Sequence, residues 1–135
     1  MIIGIGSDLL DIRRIGKVLD RHDKRFINRC FTDVEIKKAE RRRAAGTHVA
    51  TYAKRFAAKE AMSKALGSGI AHGVYLSDIG VVNDQNGKPT ISLSGGALRR
   101  YESLIPDGQT GHIHLTLTDE PPLAKALVII ESHPH

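Results

Sequence analysis

The residues best suited to act on a phosphate ester lie in one segment, Arg55 to Gly69, which reads RFAAKEAMSKALGSG. We predict a helix there that stops at Gly67, a common C-terminal signal. Glu60 and Lys64 then lie four residues apart on one side of it. A carboxylate can bind a metal ion and an ammonium group can meet a phosphate. The pair therefore indicates metal-assisted chemistry on a phosphate ester, if a second carboxylate lies nearby.

The best candidate for that second carboxylate is Asp8, at the end of an apolar segment with the sequence GIGSD. Residues 2–10 are predicted to form a buried strand in which Gly4 and Gly6 carry no side chain. An ideal helix advances about 100° per residue, so the helix also presents one shallow stripe of alanines. That stripe consists of Ala53, Ala57, Ala61 and Ala65. We expect strand and helix to approach closely there, which would bring Asp8 toward Glu60.

Each of these residues also has an ordinary structural interpretation. Glu60 and Lys64 at this spacing are most often a surface ion pair worth about 0.2–0.5 kcal/mol. Asp8 after a strand is often a turn or capping residue, and residues 67–69 often only end a helix. His114, inside a predicted strand, is more often a satisfied sheet residue than a catalytic one. None of these signals is specific when taken alone.

The composition narrows the class of protein. At 135 residues the chain is long enough for one domain with a hydrophobic core, which we place at residues 1–132. No apolar run approaches the roughly 20 residues that span a bilayer, and the N-terminus lacks the basic region of a signal peptide. Cys30 is the only cysteine, which excludes an internal disulfide or a zinc site built on paired cysteines. These features favour a cytoplasmic protein with no membrane partner.

The charge is distributed unevenly along the chain. Residues 1–66 carry 16 lysines and arginines against 8 aspartates and glutamates, whereas residues 67–135 carry 4 against 7. The first half therefore presents a positive field to an acidic partner. Nucleic acid, an anionic membrane, a phosphorylated cofactor and an acidic protein all satisfy that condition.

The turn and cap signals predict an α+β fold with mostly antiparallel strands. Thr32 and Glu35 have the spacing of a capping box, and Thr47 is the expected cap of the helix that carries Glu60. The Asn86-Gly87 pair predicts a hairpin between two short strands. The predicted helices cover about 12–22, 32–45, 47–67 and 97–104, and the predicted strands cover 2–10, 79–83, 90–93, 112–118 and 127–131. Residues 133–135 are predicted to be a disordered tail.

Two motifs taken together do have a specific meaning. The segment GIGSD with Arg14, followed by RFAAKEAMSKALGSGI, closely resembles the small bacterial members of the 4′-phosphopantetheinyl transferase family, the holo-[acyl-carrier-protein] synthases. The likeness continues through the segments DQNGKP, HLTLTD and ALVIIE, so it covers nearly the whole chain. In HLTLTD, Asp119 stands where many members carry a second histidine, so we assign it no catalytic role.

The resemblance implies transfer of the phosphopantetheine arm of coenzyme A to a serine of an apo acyl carrier protein, with adenosine 3′,5′-bisphosphate as the leaving group. Asp8 and Glu60 match the family's Mg²⁺ ligands, and Glu60 is the expected route for the serine proton, directly or through a water. Lys64 matches a residue that meets the pyrophosphate and assists the departing phosphate. The positions that match coenzyme A contacts are Arg55, Gly67, Ser68, Gly69 and His114, the histidine lying near the nucleotide.

The resemblance also gives the charge asymmetry a reason, because acyl carrier proteins are acidic and dock on the first basic helix of family members. Arg14 matches a docking arginine, with Arg21 and Lys24 as expected neighbours. The family implies a homotrimer with active sites between protomers. Carrier proteins of fatty-acid synthesis are the default acceptors.

Two alternatives stay open at this point. A basic nucleic-acid-binding module would explain the charge, but the chain has few aromatic residues for base stacking and leaves Asp8 and Glu60 without a role. A family member that docks the carrier protein without modifying it is the second alternative. The presence of Asp8, Glu60 and Lys64 disfavours that loss of activity.

Overall fold

Five strands and four helices build the fold, and the computed structural model describes residues 1–135. The three-stranded antiparallel sheet has the order β1-β5-β4, and β2 pairs with β3 in a separate hairpin. The α+β prediction is confirmed. The elements are β1 Ile2–Asp11, α1 Ile12–Cys30, α2 Asp33–Glu40, α3 His48–Ala65, β2 Ile79–Asn83, β3 Pro89–Leu93, α4 Gly95–Leu104, β4 Gln109–Glu120 and β5 Leu123–Pro134, with a 3₁₀ turn at Leu76–Asp78.

Helix α3 packs against one face of the three-stranded sheet, at the place where β1 has its two glycines. A β-carbon on Gly4 would overlap the carbonyl of Ala65, and one on Gly6 would overlap the carbonyl of Ala61. The four alanines of the stripe are all buried, which confirms the predicted close approach. Any larger residue at either glycine would push the helix away from the strand.

The two faces of this sheet differ because side chains alternate along each strand. On β5, Ala124, Ala126, Val128 and Ile130 are buried and face α3, which defines the inner face. The intervening residues form the outer face, which no element of the chain covers. Three of its apolar side chains are largely exposed: Ile5, Leu9 and Leu123.

A fully buried ion pair joins helices α2 and α3 beside the β2–β3 hairpin. Lys59 Nζ lies 2.7 Å from Glu35 Oε1, and both side chains are 0% exposed. Lys59 also donates to the carbonyls of Leu76 and Ile79, at 3.1 and 2.5 Å. Glu35 accepts from the backbone of Thr32 and of Val81, each at 2.8 Å. The sequence predicted the capping box, and the structure confirms it, but the lysine partner was missed.

Helices α1 and α2 both differ from the prediction toward their C-terminal ends. The backbone of α1 is not helical at Asp23, so its first segment ends near His22 as predicted, and a second segment that was not predicted continues to Cys30. Helix α2 ends at Glu40 instead of Ala45, and residues 41–46 form turns. Those turns bring Arg43 back onto Glu40, with the Arg43 Nε to Glu40 Oε1 distance at 2.8 Å. Thr47 precedes α3 as predicted but makes no side-chain capping bond.

The predicted disordered tail is wrong. His133 and Pro134 belong to β5 and pair with Thr110 and Gln109 of β4. The last residue also donates its backbone N–H to the carbonyl of Gly108, at 3.0 Å. The physical reason is that β4 begins three residues earlier than predicted, so the end of β5 has backbone partners. None of the four helices combines the length and the apolar character required to cross a bilayer.

Candidate active site

Asp8 and Lys64 meet at the edge of the contact between β1 and α3. Lys64 Nζ lies 3.1 Å from Asp8 Oδ1 and donates to the carbonyl of Ser7 at 2.9 Å. The Asp8 side chain is only 17% exposed, whereas the Lys64 side chain is 51% exposed. The carboxylate is therefore fixed in a cleft, and the lysine reaches it from solvent.

Glu60 lies one turn before Lys64 on α3 and is half-buried. Burial raises the pKa of Glu60, the Asp8 carboxylate raises it further, and Lys64 partly opposes the shift. Asp8 and Glu60 are thus close enough to repel each other. A cation placed between them would remove that repulsion, since both carboxylates favour a nearby positive charge.

Two carboxylates, Asp8 and Glu60, suit magnesium better than a metal ion whose ligands are all protein side chains. No group of three or more histidine, cysteine, aspartate or glutamate side chains is arranged to hold a metal ion. Magnesium is commonly bound by one or two carboxylates together with substrate phosphates and retained waters. Asp8 and Glu60 fit that requirement when a phosphate ligand completes the site.

The turn after α3 is built from residues with left-handed backbone conformations. Gly67 and Gly69 have φ values of 76° and 63°, which favour glycine. Their N–H groups donate to the carbonyls of Lys64 and Ser63, at 3.0 and 3.1 Å, so they satisfy the helix end. The Ser68 hydroxyl donates to the Gly69 carbonyl at 2.9 Å. The helix-stop interpretation describes this geometry, and contact with a coenzyme remains a prediction.

Arg55 is buried beside the end of β2. It is 4% exposed, one of its terminal nitrogens donates to Asn83 Oδ1 at 3.3 Å, and its Nε has no hydrogen-bond partner. Burial lowers the pKa of Arg55, and the charge of Glu35 opposes that shift. Lys38 donates to the same Asn83 oxygen at 2.8 Å. Two cations that share one amide oxygen leave capacity to bind an anion.

More cations surround this position than the motif alone predicted. Burial lowers the pKa of Lys38, and the like charges of Arg55, Arg42 and Lys54 add to that effect. Lys54 has one carboxylate within reach, Asp119, at 3.6 Å. The charge-rich segment 37–43 was the sequence signal for this cluster. It was missed because such a run usually marks a solvated helix face.

His114 lies on the outer face of the sheet, away from Asp8. It pairs with Ile129, which in turn pairs with Ile5, so the three side chains form one row across the outer face. Asp8 points to the inner face, where α3 lies. His114 Nε2 lies 2.6 Å from Glu131 Oε1, and His114 also lines a small pocket with Lys88, Thr116 and Leu127. One chain therefore does not bring its own His114 and Glu60 together.

A basic-rimmed groove runs along α1 and reaches the Asp8–Glu60 cleft. Its apolar floor includes Phe56, one turn before Glu60, and Leu10, two residues after Asp8 on the same face of β1. The lining residues from α1 are Arg14, Ile15, Lys17, Val18, His22, Arg25, Phe26 and Arg29. Arg21 is exposed on α1 outside this lining, and Lys24 lies in a different depression with Arg43.

Comparisons with known proteins agree with this architecture. Curated relatives named holo-[acyl-carrier-protein] synthase occur in Rhizobium meliloti (60% identical, covering 99% of this chain and 94% of the relative) and in Brucella ovis (57% identical, covering 99% and 98%). A crystal structure of the synthase of that name from Neisseria meningitidis matches with a TM-score of 0.82 and 34% identity, covering 97% of this chain and 99% of the other.

A structure from Bacillus anthracis, described as the synthase in complex with CoA (3′,5′-ADP), matches with a TM-score of 0.75 and 35% identity, covering 98% of this chain and 99% of the other. The sequence profile of the 4′-phosphopantetheinyl transferase superfamily matches residues 4–118. That span contains the Asp8 strand, the Glu60 helix and the hairpin. The chain belongs to the 4′-phosphopantetheinyl transferase superfamily.

Proposed function

We propose that this protein transfers the 4′-phosphopantetheine arm of coenzyme A to a serine of an apo acyl carrier protein, in a Mg²⁺-dependent reaction in the cytoplasm. The products are the holo carrier protein and adenosine 3′,5′-bisphosphate. The observation that carries this proposal is the Asp8–Glu60–Lys64 cleft, in a chain whose relatives are named for that activity.

The reaction forms a bond from the serine oxygen to the phosphorus attached to pantetheine and breaks the bond from that phosphorus to the leaving phosphate. Asp8 and Glu60 would hold the magnesium ion, which supplies neutralisation of charge on the pyrophosphate. Glu60 has a raised pKa and so accepts a proton more readily than an ordinary glutamate, directly or through a water. Lys64 is exposed and can move from Asp8 to the departing phosphate.

The cation cluster around Arg55 supports binding of the nucleotide end of coenzyme A. Arg55 is held rigidly by burial, and Lys38 and Arg42 lie close enough to repel it. A phosphate group bound beside these side chains would reduce the repulsion among Arg55, Lys38 and Arg42.

The outer face of the sheet supports assembly into a homotrimer. It exposes Ile5, Leu9 and Leu123 next to partly exposed Leu127 and Ile129, and contiguous apolar surface of this kind marks interaction sites. Association of outer faces around a closed symmetry axis would also place His114 and Lys88 of one protomer near the cleft of the next. In that arrangement His114 of one protomer would lie near the nucleotide bound at the cleft of the next protomer, a position that it does not occupy relative to the cleft of its own chain.

Mixing two inactive variants tests this shared site. Glu60→Gln and His114→Ala homotrimers should each lose most activity, and mixed trimers formed by co-expression should recover part of it, because some interfaces then combine two intact halves. Light scattering gives the oligomeric state of each preparation. Active-site complementation that never exceeds the sum of the two parents would contradict a site shared between protomers.

The groove along α1 supports docking of an acidic carrier protein. Arg14, Lys17, Arg25 and Arg29 rim an apolar floor that ends beside Glu60, so a serine on the docked partner would be delivered to the cleft. Rim charges of this type accelerate association and lose influence as salt is added. Arg21 and Lys24 stay predicted neighbours that extend the field beyond the groove.

Intact-mass spectrometry of an apo acyl carrier protein tests the proposed activity directly. Incubation with this protein, coenzyme A and Mg²⁺ should add the mass of one phosphopantetheine, and EDTA should abolish the gain. Asp8→Ala and Glu60→Gln should also abolish it with the fold intact, while Glu102→Gln, the same change on exposed α4, should not. Carrier binding without a mass gain would favour the docking module, and binding of duplex DNA alone would favour the nucleic-acid module.

A further inference from the structure

Helix α1 consists of two helical segments that meet at a bend. Asp23 has φ 19° and ψ −100°, so the backbone is not helical there. Ile15 and Leu19 are buried before the bend, and Ile27 and Cys30 are buried after it. Each segment is therefore anchored in the core, and the bend sets how their exposed sides are oriented relative to one another.

The groove along α1 is formed by both segments. Arg14, Lys17 and Val18 come from the first segment, whereas Phe26 and Arg29 come from the second. A change in the bend would alter the separation of these two groups. It would act directly on the groove, whereas the Asp8, Glu60 and Lys64 side chains of the cleft are carried by β1 and α3.

A chain of hydrogen bonds connects the bend to the N-terminal part of α3. Arg43 donates to Asp23 Oδ1 at 3.2 Å, and it donates to both carboxylate oxygens of Glu40, at 2.8 and 3.1 Å. The Tyr52 hydroxyl donates to Glu40 Oε2 at 2.7 Å. Tyr52 is 0% exposed and contacts Phe31, with ring centroids 4.8 Å apart. Packing in the core therefore fixes the Tyr52 end of this series of hydrogen bonds.

We propose that the hydrogen-bonded chain Tyr52–Glu40–Arg43–Asp23 is a positioning device that holds the bend of α1 and so sets the shape of the groove for an acidic carrier protein. The inference rests on the docking role assigned to that groove above. Its members are positioning residues, since none of them lines the groove or the Asp8–Glu60 cleft.

The charge of Asp23 makes this role distinguishable from simple electrostatics. A carboxylate on the docking helix repels an acidic partner, so its removal should tighten binding if only charge matters. If Asp23 holds the bend, its removal should weaken binding instead. The two explanations thus predict opposite signs for the same substitution.

The test compares Asp23→Asn with Asp20→Asn, the same change at an exposed position on the same helix that makes no ion pair. We expect Asp23→Asn to raise the KM for the apo carrier about twofold to fivefold, the equivalent of one half-exposed ion pair, with kcat and the KM for coenzyme A unchanged. Tyr52→Phe, which removes only the hydroxyl at the fixed end, should raise the carrier KM in the same direction. Asp20→Asn should leave it unchanged or lower it.

The inference is overturned if Asp23→Asn and Asp20→Asn change the carrier KM equally, or if Asp23→Asn raises the KM for coenzyme A as much as that for the carrier. Arg14→Glu separates failure of this inference from failure of the docking proposal. If Arg14→Glu weakens carrier binding in calorimetry and Asp23→Asn does not, only the positioning role is wrong. If Arg14→Glu has no effect either, the groove is not the docking surface and both proposals are wrong.

Discussion

Helix α3 carries two lysine–carboxylate pairs only five residues apart, and they differ in almost every physical respect. Lys59 and Glu35 are 0% exposed, and the ammonium has three protein acceptors, including two backbone carbonyls. Lys64 and Asp8 lie at the surface, and the lysine side chain is 51% exposed. The first pair is enclosed and fully hydrogen-bonded, whereas the second can exchange its partners with ligands from solvent.

The difference shows that the surroundings of an ion pair decide its role. A buried charge that loses its partner keeps a large desolvation cost, so Lys59 cannot leave Glu35 without destabilising the fold. An exposed charge regains water when it moves, so Lys64 can leave Asp8 at little cost. The buried pair fixes α3 against α2 and the hairpin, whereas the exposed pair can exchange its partners with a ligand from solvent.

The largest expected effect comes from breaking the buried pair. Lys59→Met should lower the free energy of unfolding by about 3–5 kcal/mol, because Glu35 is left as an unpaired buried charge. Combining Lys59→Met with Glu35→Gln should recover part of the loss, since the glutamine is neutral and keeps one acceptor oxygen. Urea unfolding measures both variants, and a loss for Lys59→Met no larger than that for Lys64→Met would contradict this account.

Removing the exposed lysine should change metal binding instead of stability. Lys64→Met should raise the Mn²⁺ affinity of the substrate-free protein about threefold to fivefold, because the ammonium no longer competes for Asp8. Calorimetry or electron paramagnetic resonance measures the affinity without any turnover. Lys125→Met, which removes the same charge from the outer face of the sheet, serves as the control. Equal affinities for the two variants would show a general charge effect only.

Asp8→Ala should change the free energy of unfolding by less than about 1 kcal/mol, even though we expect it to abolish transfer. The variant loses one partly exposed ion pair, and it also relieves the Asp8–Glu60 repulsion, which adds to burial in raising the pKa of Glu60. The two effects have opposite signs. Urea unfolding of the metal-free protein measures the balance, and a loss as large as that for Lys59→Met would mean that Asp8 is a structural residue.

The smallest effect concerns a third ion pair, Arg43 and Glu40, in which each side chain is 40% exposed. Arg43, and secondarily the Tyr52 hydroxyl, holds the pKa of Glu40 below its usual value of about 4.3. The stabilisation from this carboxylate is therefore present above the usual pKa and is lost as the pH falls through the lowered one. Glu40→Gln should lower the urea midpoint slightly at pH 7, and this difference from the unmodified protein should shrink as the pH falls below the usual carboxylate pKa. A pH-independent difference would contradict the assignment.

The local signals in the sequence predicted much of the fold. The capping box at Thr32 and Glu35, the hairpin around Asn86-Gly87 and the close approach of Gly4 and Gly6 to the alanine stripe are all confirmed. Each of these depends on residues close together in sequence or on the small size of side chains. The end of α2, the second segment of α1 and the ordered C-terminus were not predicted. The C-terminus is ordered by pairing with β4, the second α1 segment buries Ile27 and Cys30 in the core, and Arg43 after α2 contacts Asp23 of α1 as well as Glu40.

The candidate site likewise contains residues that the sequence motifs identified and residues that only the structure revealed. The motifs identified Asp8, Glu60 and Lys64, and the structure brings these three together. Lys38 and Lys88 were not predicted as site residues. Contacts between segments far apart in sequence place Lys38 beside Arg55 and Lys88 beside His114. His114 was identified, but the sequence did not show that it faces the opposite side of the sheet from Glu60.

The sequence by itself determined which groups can do chemistry, since side-chain types at helical and strand spacing place a carboxylate and a lysine on one edge of α3. Only the tertiary structure decided which lysine is free to act. Lys59 and Lys64 are equally charged and five residues apart, but burial against Glu35 immobilises the first and solvent surrounds the second. Desolvation depends on everything packed around a charge, and that packing is a property of the whole fold.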